Sequence, residues 1–199
     1  GQLLHPGVLL ALAAAGFPEV EVRRRARVVH ATGGDEVSRP GTPPRGPDGV
    51  YDANSLAVSA LARAHGGEAV PLGIVPDSVE ALKAALARSG DADLVVFSGG
   101  TSVGPKDFTL DALEGGEILF RGVAVKPGRP TILARLSSGR LFLGLPGYPV
   151  SCLMMGYAFL VPMLRRMAGL SERWGHRETL PLAEDLAGHE RFHTFLTVK

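Results

Sequence analysis

The chain has 199 residues, 45% of them hydrophobic, and 21 Lys and Arg against 20 Asp and Glu leave a net charge of +1. That content is enough for one full core, and the balance of charge excludes the basic stripe expected of a duplex nucleic-acid binder, though not a local site for a small anion. No apolar run reaches the roughly 18 residues of a membrane-spanning helix, and apolar Leu3 to Ala15 has no preceding basic region to make it a signal peptide.

In chain order, "HPGVLLALAAAGF" predicts a short helix over Val8 to Ala15, stopped by Gly16. Ala26 to Ala31, "ARVVHA", predicts a strand in which His30 reads as a satisfied core histidine. "SRPGTPPRGPDG" is rich enough in Pro and Gly to be an irregular surface loop. "YDANSLAVSALARAHGG" has an Asp/Asn start, helical spacing and a double-glycine stop, with His65 as a cation at the helix end. "EAVPLGIV" predicts a strand. "PDSVEALKAALARSG" predicts a helix capped by Asp77 or Ser78, with an acid in its first turn and a basic end. "DLVVFS" is apolar throughout, as a strand buried on both faces would be.

"FTLDALEGG" predicts a short helix, and "EILFRGVAV", "PTILARL" and "RLFLGL" three strands, the last two joined through "SSG" as a hairpin. "PVSCLMMGYAFLVPMLRRMAG" predicts a mostly covered helix. Within it the single Cys152 reads as a small buried hydrophobe; its solitude excludes an intramolecular disulfide and fits a reducing cytosol. The rest, "RETLPLAEDLAGHERFHTFLTVK", alternates like β structure. The expected organisation is a helix and linker over 1–24, an α/β domain over 25–169 and an incomplete β segment over 170–199. The opening on Gly1 and the strand-like end lead us to expect part of a longer protein.

Alternating strands and helices predict βαβ units around a mainly parallel sheet. In such sheets ligands sit at the carboxyl ends of strands. Three unusual loops follow strands here, "TGGDE", "SGGTSVGPKD" and "LPGYPVS", and are therefore expected on one rim. Ser98, Gly99, Gly100, Thr101 and Ser102 offer hydroxyls and open backbone N–H groups, which suit an anion or a plain turn. Asp107, Asp77, Asp35 and Glu36 are helix caps or solvated acids on one reading. On the other they are oxygen ligands for Mg²⁺, which shares its shell with substrate phosphates. "VKPGRPT" sets Lys126 and Arg129 around a stiff turn, as anion donors or as solvated charges. "GLPGYPVSC" places Pro146, Gly147, Pro149 and Ser151 between a strand and a helix, as an anion-binding start or a simple connector. The His residues show no metal-ligand spacing, and no Ser/His/Asp or Cys/His arrangement can be placed.

"TGGDEV", "YDANS", "LGIVPDS", "SGGTSVGPKDF", "VAVKPGRP" and "GLPGYPVS" occur in the order and spacing of the molybdopterin molybdotransferases, the MoeA family that includes the E domain of gephyrin. The resemblance covers about Gly7 to Gly169. It implies a three-layer α/β/α domain of the MogA type, followed by a truncated β segment. It also implies insertion of molybdate into adenylated molybdopterin with release of AMP, Mg²⁺ or another divalent ion, a cytoplasmic homodimer, and the adenylyltransferase as a possible partner; no membrane or nucleic-acid partner is implied. Matched motif by motif, Asp107, Asp77 and Glu36 resemble the catalytic acids, and Asp107 and Asp35 the metal ligands. Ser98 to Ser102 resembles the pterin-phosphate loop. Asp52, Asn54, Lys126, Arg129, Pro146, Gly147, Pro149 and Ser151 resemble substrate-binding positions.

The chain departs from the family at three points. Thr32-Gly33-Gly34 stands where Ser-Thr-Gly is usual, Tyr148 replaces the Asn of "PGNP", and Gly122 replaces a frequent basic residue. Two other readings remain: an adenylyltransferase of the same fold, and a non-catalytic dimerisation or scaffold paralogue.

Overall fold

The computed structural model describes residues 1–100, 108–170, 178–181, 183–185 and 188–196. Helix α1 (Pro6–Ala14) opens with a proline in its first turn and buries none of its residues. Strand β1 (Ala26–Gly33) is buried almost throughout. Two-residue strands β2 (Val37–Ser38) and β3 (Val50–Tyr51) pair in parallel across the Pro/Gly-rich loop. Helix α2 (Asn54–Ala64), strand β4 (Gly67–Val75), helix α3 (Val79–Arg88) and strand β5 (Leu94–Ser98) complete the predicted βαβ units.

After the short helix α4 (Phe108–Ala112) come strands β6 (Glu117–Arg121), β7 (Val125–Lys126), β8 (Ile132–Arg135) and β9 (Leu141–Leu145). The last helical stretch runs as α5 (Pro149–Met155), a π turn over Gly156–Leu160, and α6 (Val161–Met167). Strand β10 (His193–Thr194) pairs in parallel with β7.

The main sheet has the order β4-β1-β5-β9-β8-β6. The first four strands are parallel, with Val28, Val29 and His30 beside Leu94, Val95 and Val96, and Val96 beside Leu143. Strand β8 runs antiparallel to both β9 and β6. The sheet is covered on both faces, which is why its parallel strands are apolar without alternation. One face packs Val29, Val95, Phe97 and Phe142 against Leu82 and Leu86 of α3 and Ala112 of α4. The other packs Val28, Leu94, Val96 and Leu143 against Val58 and Leu61 of α2 and Met155 and Leu164 of the last helical stretch. These are the three layers of the α/β/α class.

Local chemistry explains most boundaries. Ser78, not Asp77, caps α3, accepting a bond from Ala81 N at 3.1 Å; Leu82, Ala85 and Leu86 then repeat at the spacing of one helix face. "EILFRGVAV" does not stay one strand. Gly122 takes φ +80°, a left-handed conformation, and its N–H turns to Thr131 O at 2.8 Å. His65 does end α2, where a cation was expected. Burial, and then the charge of Arg165, hold its pKa below the ordinary 6.5. Among the described residues after 170, only His193–Thr194 forms a strand.

Candidate functional site

Because β1, β5 and β9 are parallel neighbours, the loops that leave their carboxyl ends meet on one rim, as expected. They enclose a cavity of about 650 Å³. The loop after β1 contributes Thr32, Gly33, Gly34 and Glu36, and the loop after β5 contributes Gly99 and Gly100. The loop after β9 contributes Pro146, Gly147, Tyr148 and Pro149. Asp52 and Asn54 enter from the start of α2, Asp77 from the start of α3, Tyr51 from β3, and Pro130 from the turn before β8.

The loops touch backbone to backbone. Gly99 has φ +91°, and a Cβ there would lie 2.5 Å from Gly33 O, so no side chain fits between the β1 and β5 loops. Its N–H donates to Leu145 O at 3.2 Å, which ties the same loop to β9. Thr101, Ser102 and Asp107 lie outside the described residues.

Under the rim lies a buried polar network. Thr32 Oγ1 donates to Asp52 Oδ1 at 2.9 Å and accepts from Ser98 Oγ at 3.2 Å. Its proton being committed to Asp52, the 3.1 Å contact with Ser55 Oγ has Ser55 as the donor. Ser55 N–H also donates to Asp52 Oδ1 at 3.0 Å. Ser98, expected to bind ligand, is thus buried and engaged in holding Thr32. Asp52 receives two donors, which suits an ionised carboxylate. Its charge is felt nearby: burial first, and then Asp52, push the Cys152 thiol up to about 12.

His30, two residues before Thr32 on β1 and so on the same face, lies 2.8 Å from Ser59 Oγ through Nε2 and is fully buried, as expected of a satisfied core histidine. Burial lowers its pKa to about 4, with Asp52 acting in the opposite sense.

The acids gather at the β1 side. Asp77 N–H donates to Asp35 Oδ1 at 3.3 Å. Burial raises the pKa of Asp77, and the charges of Asp35 and Glu36 raise it further. Hard carboxylate oxygens crowded this way favour a cation. No group of three His, Cys, Asp or Glu able to hold a metal occurs among the described residues. The carboxylates of Asp35 and Asp77 are hard oxygen donors, the type of which Mg²⁺ takes one or two before completing its shell with water and substrate phosphates.

Other expected residues lie apart. Lys126 and Arg129 are exposed and do not line the cavity; Arg129 sits over the Phe192 ring, 5.7 Å from its centroid. Ser151 is half-buried in the first turn of α5, also outside the lining. Conversely, sequence reasoning did not assign Thr32, Ser55, Tyr51 or Pro130 to the site. The signal for Ser55 was present, since an Asp three residues before a helical Ser has the spacing of an N-terminal cap.

Residues 30–166 match the family described as probable molybdopterin binding domain. The chain belongs to that family. A molybdopterin molybdenumtransferase of Haemophilus influenzae is 38% identical over 87% of this chain and 43% of its own length. One from a Nostoc species is 33% identical over 96% of this chain and 44% of its own. The chain thus spans a little under half the length of these relatives. Among solved structures, a MoeA molybdopterin biosynthesis protein from Pyrococcus horikoshii superposes with a TM-score of 0.75 at 35% identity, covering 83% of this chain and 41% of that one. The molybdopterin-binding match begins at His30 and takes in all three rim loops, so the family relationship includes the cavity and not only the sheet.

Proposed function

We propose that the chain is the substrate-binding α/β domain of a molybdopterin molybdotransferase, which inserts molybdate into adenylated molybdopterin and releases AMP. The observation that carries this is the cavity itself. It is built from the loops whose sequences carry the family resemblance, with glycine backbone at its centre and acids at one side. The relatives named above support the reading.

In this reading a tetrahedral dianion and a phosphoanhydride are brought together. The backbone N–H groups of the Ser98–Ser102 loop bind anionic oxygens, joined by Lys126, Arg129 and Ser151 from outside the cavity lining, and Asp52 and Asn54 position the substrate beside Pro146, Gly147 and Pro149. Asp107, Asp77 and Glu36 act as the catalytic acids, and Asp107 and Asp35 hold Mg²⁺. That ion, when bound, would polarise the anhydride as a Lewis acid. The chain's own part is preorganised charge and backbone N–H groups, without a covalent nucleophile. The buried, high-pKa Cys152 suits no nucleophilic role. The same proposal takes the protein to be a cytoplasmic homodimer able to receive substrate from the adenylyltransferase, and places a domain boundary near Gly169.

The test is AMP release from adenylated molybdopterin in the presence of Mg²⁺, with and without molybdate. Release that depends on molybdate supports the proposal. Pyrophosphate release from ATP would replace it with the adenylyltransferase reading, and neither activity in an intact dimer would replace it with the scaffold reading.

A further inference from the structure

The cavity mouth carries a residue that the family's usual loop sequence does not have. Tyr148 lines the cavity, yet it is 83% exposed. A ring left in water adds little to folding, and a Tyr usually earns its place by covering something apolar while its hydroxyl stays wet. The turn beneath it is fixed. Asn54 Nδ2 donates to Gly147 O at 2.8 Å, Tyr148 O accepts from Cys152 N at 2.8 Å, and Pro149 begins α5. The ring therefore stands on a rigid base, so little freedom is lost when it closes on a flat partner.

The rest of the mouth suits the same partner. Tyr51, Pro146 and Pro149 line the same cavity with flat, apolar surfaces. Asn54 is only 4% exposed, and its Oδ1 is buried with no hydrogen-bond partner among the described residues, so the latch under Tyr148 keeps one unused acceptor. The two ends of the cavity also differ. Glu36 and Asp77 belong to the β1 side, Tyr148 to the β9 side, and the Gly99–Gly100 backbone of β5 lies between them. A ligand with an anionic centre and a flat ring would place the ring at Tyr148.

We propose that Tyr148 is a positioning and specificity residue that stacks on the nitrogen heterocycle of the bound substrate, with Asn54 holding the turn that presents it. This rests on the molybdotransferase reading, in which the substrate carries two such rings, adenine and pterin.

The experiment is calorimetric binding of AMP, pterin-6-carboxylate and inorganic pyrophosphate to the wild type, Tyr148→Phe, Tyr148→Ala and Asn54→Ala, with solution mass measured for each. Tyr148→Ala is expected to weaken one ring-bearing ligand by ~10-fold or more, as stacking losses do. Tyr148→Phe should stay within about 2-fold by the same logic, and Asn54→Ala should lose affinity part of the way. Pyrophosphate, which has no ring, should bind alike to the wild type and both Tyr148 variants. A loss confined to AMP assigns the ring as adenine, and one confined to the pterin assigns it as pterin.

Unchanged affinity for both rings in Tyr148→Ala overturns the role of Tyr148 and leaves the molybdotransferase reading standing. An equal loss for pyrophosphate overturns stacking. A changed solution mass with unchanged affinity shows that the ring contacts another chain instead. If the wild type binds none of the three ligands, the molybdotransferase reading falls together with this proposal.

Discussion

Gly33 is one of the three points at which the chain departs from the motifs that carry its family resemblance, and the structure says what adding a side chain there would cost. A Cβ at Gly33 would lie 2.5 Å from Phe97 Cζ, where ordinary contact begins at 3.4 Å, so the ring must move by about 1 Å. It has little room. Phe97 is fully buried, with the rings of Phe108 and Phe142 at 6.3 and 6.5 Å between centroids. Overpacking of this kind costs about 1–3 kcal/mol. Against it, Ala gains about 0.4–1 kcal/mol over Gly by restricting the unfolded chain. Gly33→Ala should therefore lose a net stability of about 1–2 kcal/mol.

The assay is urea denaturation of wild type, Gly33→Ala, Phe97→Leu and the double variant. The shorter, flexible Leu side chain should absorb the new methyl, leaving a cost under about 0.5 kcal/mol in that background, with the difference read as coupling. The reasoning is refuted if Gly33→Ala is as stable as wild type, or if it costs the same in both backgrounds. If it holds, the missing hydroxyl at the rim and the large residue at position 97 are one structural choice.

Two further predictions concern protons. His30 is held at about 4 by burial and returns to about 6.5 on unfolding, so its contribution to stability is present above pH 6.5 and lost as pH falls towards 4. At about 1.4 kcal/mol per pH unit, the gap amounts to about 3 kcal/mol; urea midpoints of wild type should fall more steeply between pH 7 and pH 5 than those of His30→Gln, and parallel curves would refute the assignment. Asp77 is shifted the other way, above its ordinary 3.8, so its ionisation opposes folding as pH rises through and beyond that value. Asp77→Asn should raise Tm at pH 7 and leave it nearly unchanged at pH 3, and a lowered Tm at pH 7 would show that the carboxylate is stabilised by a contact outweighing Asp35 and Glu36.

Much of the frame could be read from the residues because it follows from local chemistry. "DLVVFS" had to be a doubly covered strand, and β5 is one. α3 carried its cap, its apolar spacing and its basic end between Ser78 and Arg88. The gathering of three loops on one rim also followed from the βαβ order alone. What was not legible depends on partners distant in sequence. The Pro/Gly-rich loop gave no sign that Val37–Ser38 and Val50–Tyr51 would pair across it. The π turn at Gly156–Leu160 leaves no mark in an apolar run. That the Ser98 hydroxyl donates to Thr32, 66 residues away, could not be read from its neighbours.

The direction of β8 has a consequence for how such chains are searched. Strand β8 runs against β9, with Ile132 opposite Gly144, so it is the entrance to β8, not its exit, that opens on the cavity. That is why Pro130, at the tail of "VKPGRP", reaches the wall while nothing from the hairpin "SSG" does. The rule that binding loops follow strands holds for the parallel half of this sheet and inverts where the sheet does. In a mixed sheet, the segments to compare between relatives are those at one edge of the sheet in space, whichever end of each strand they come from.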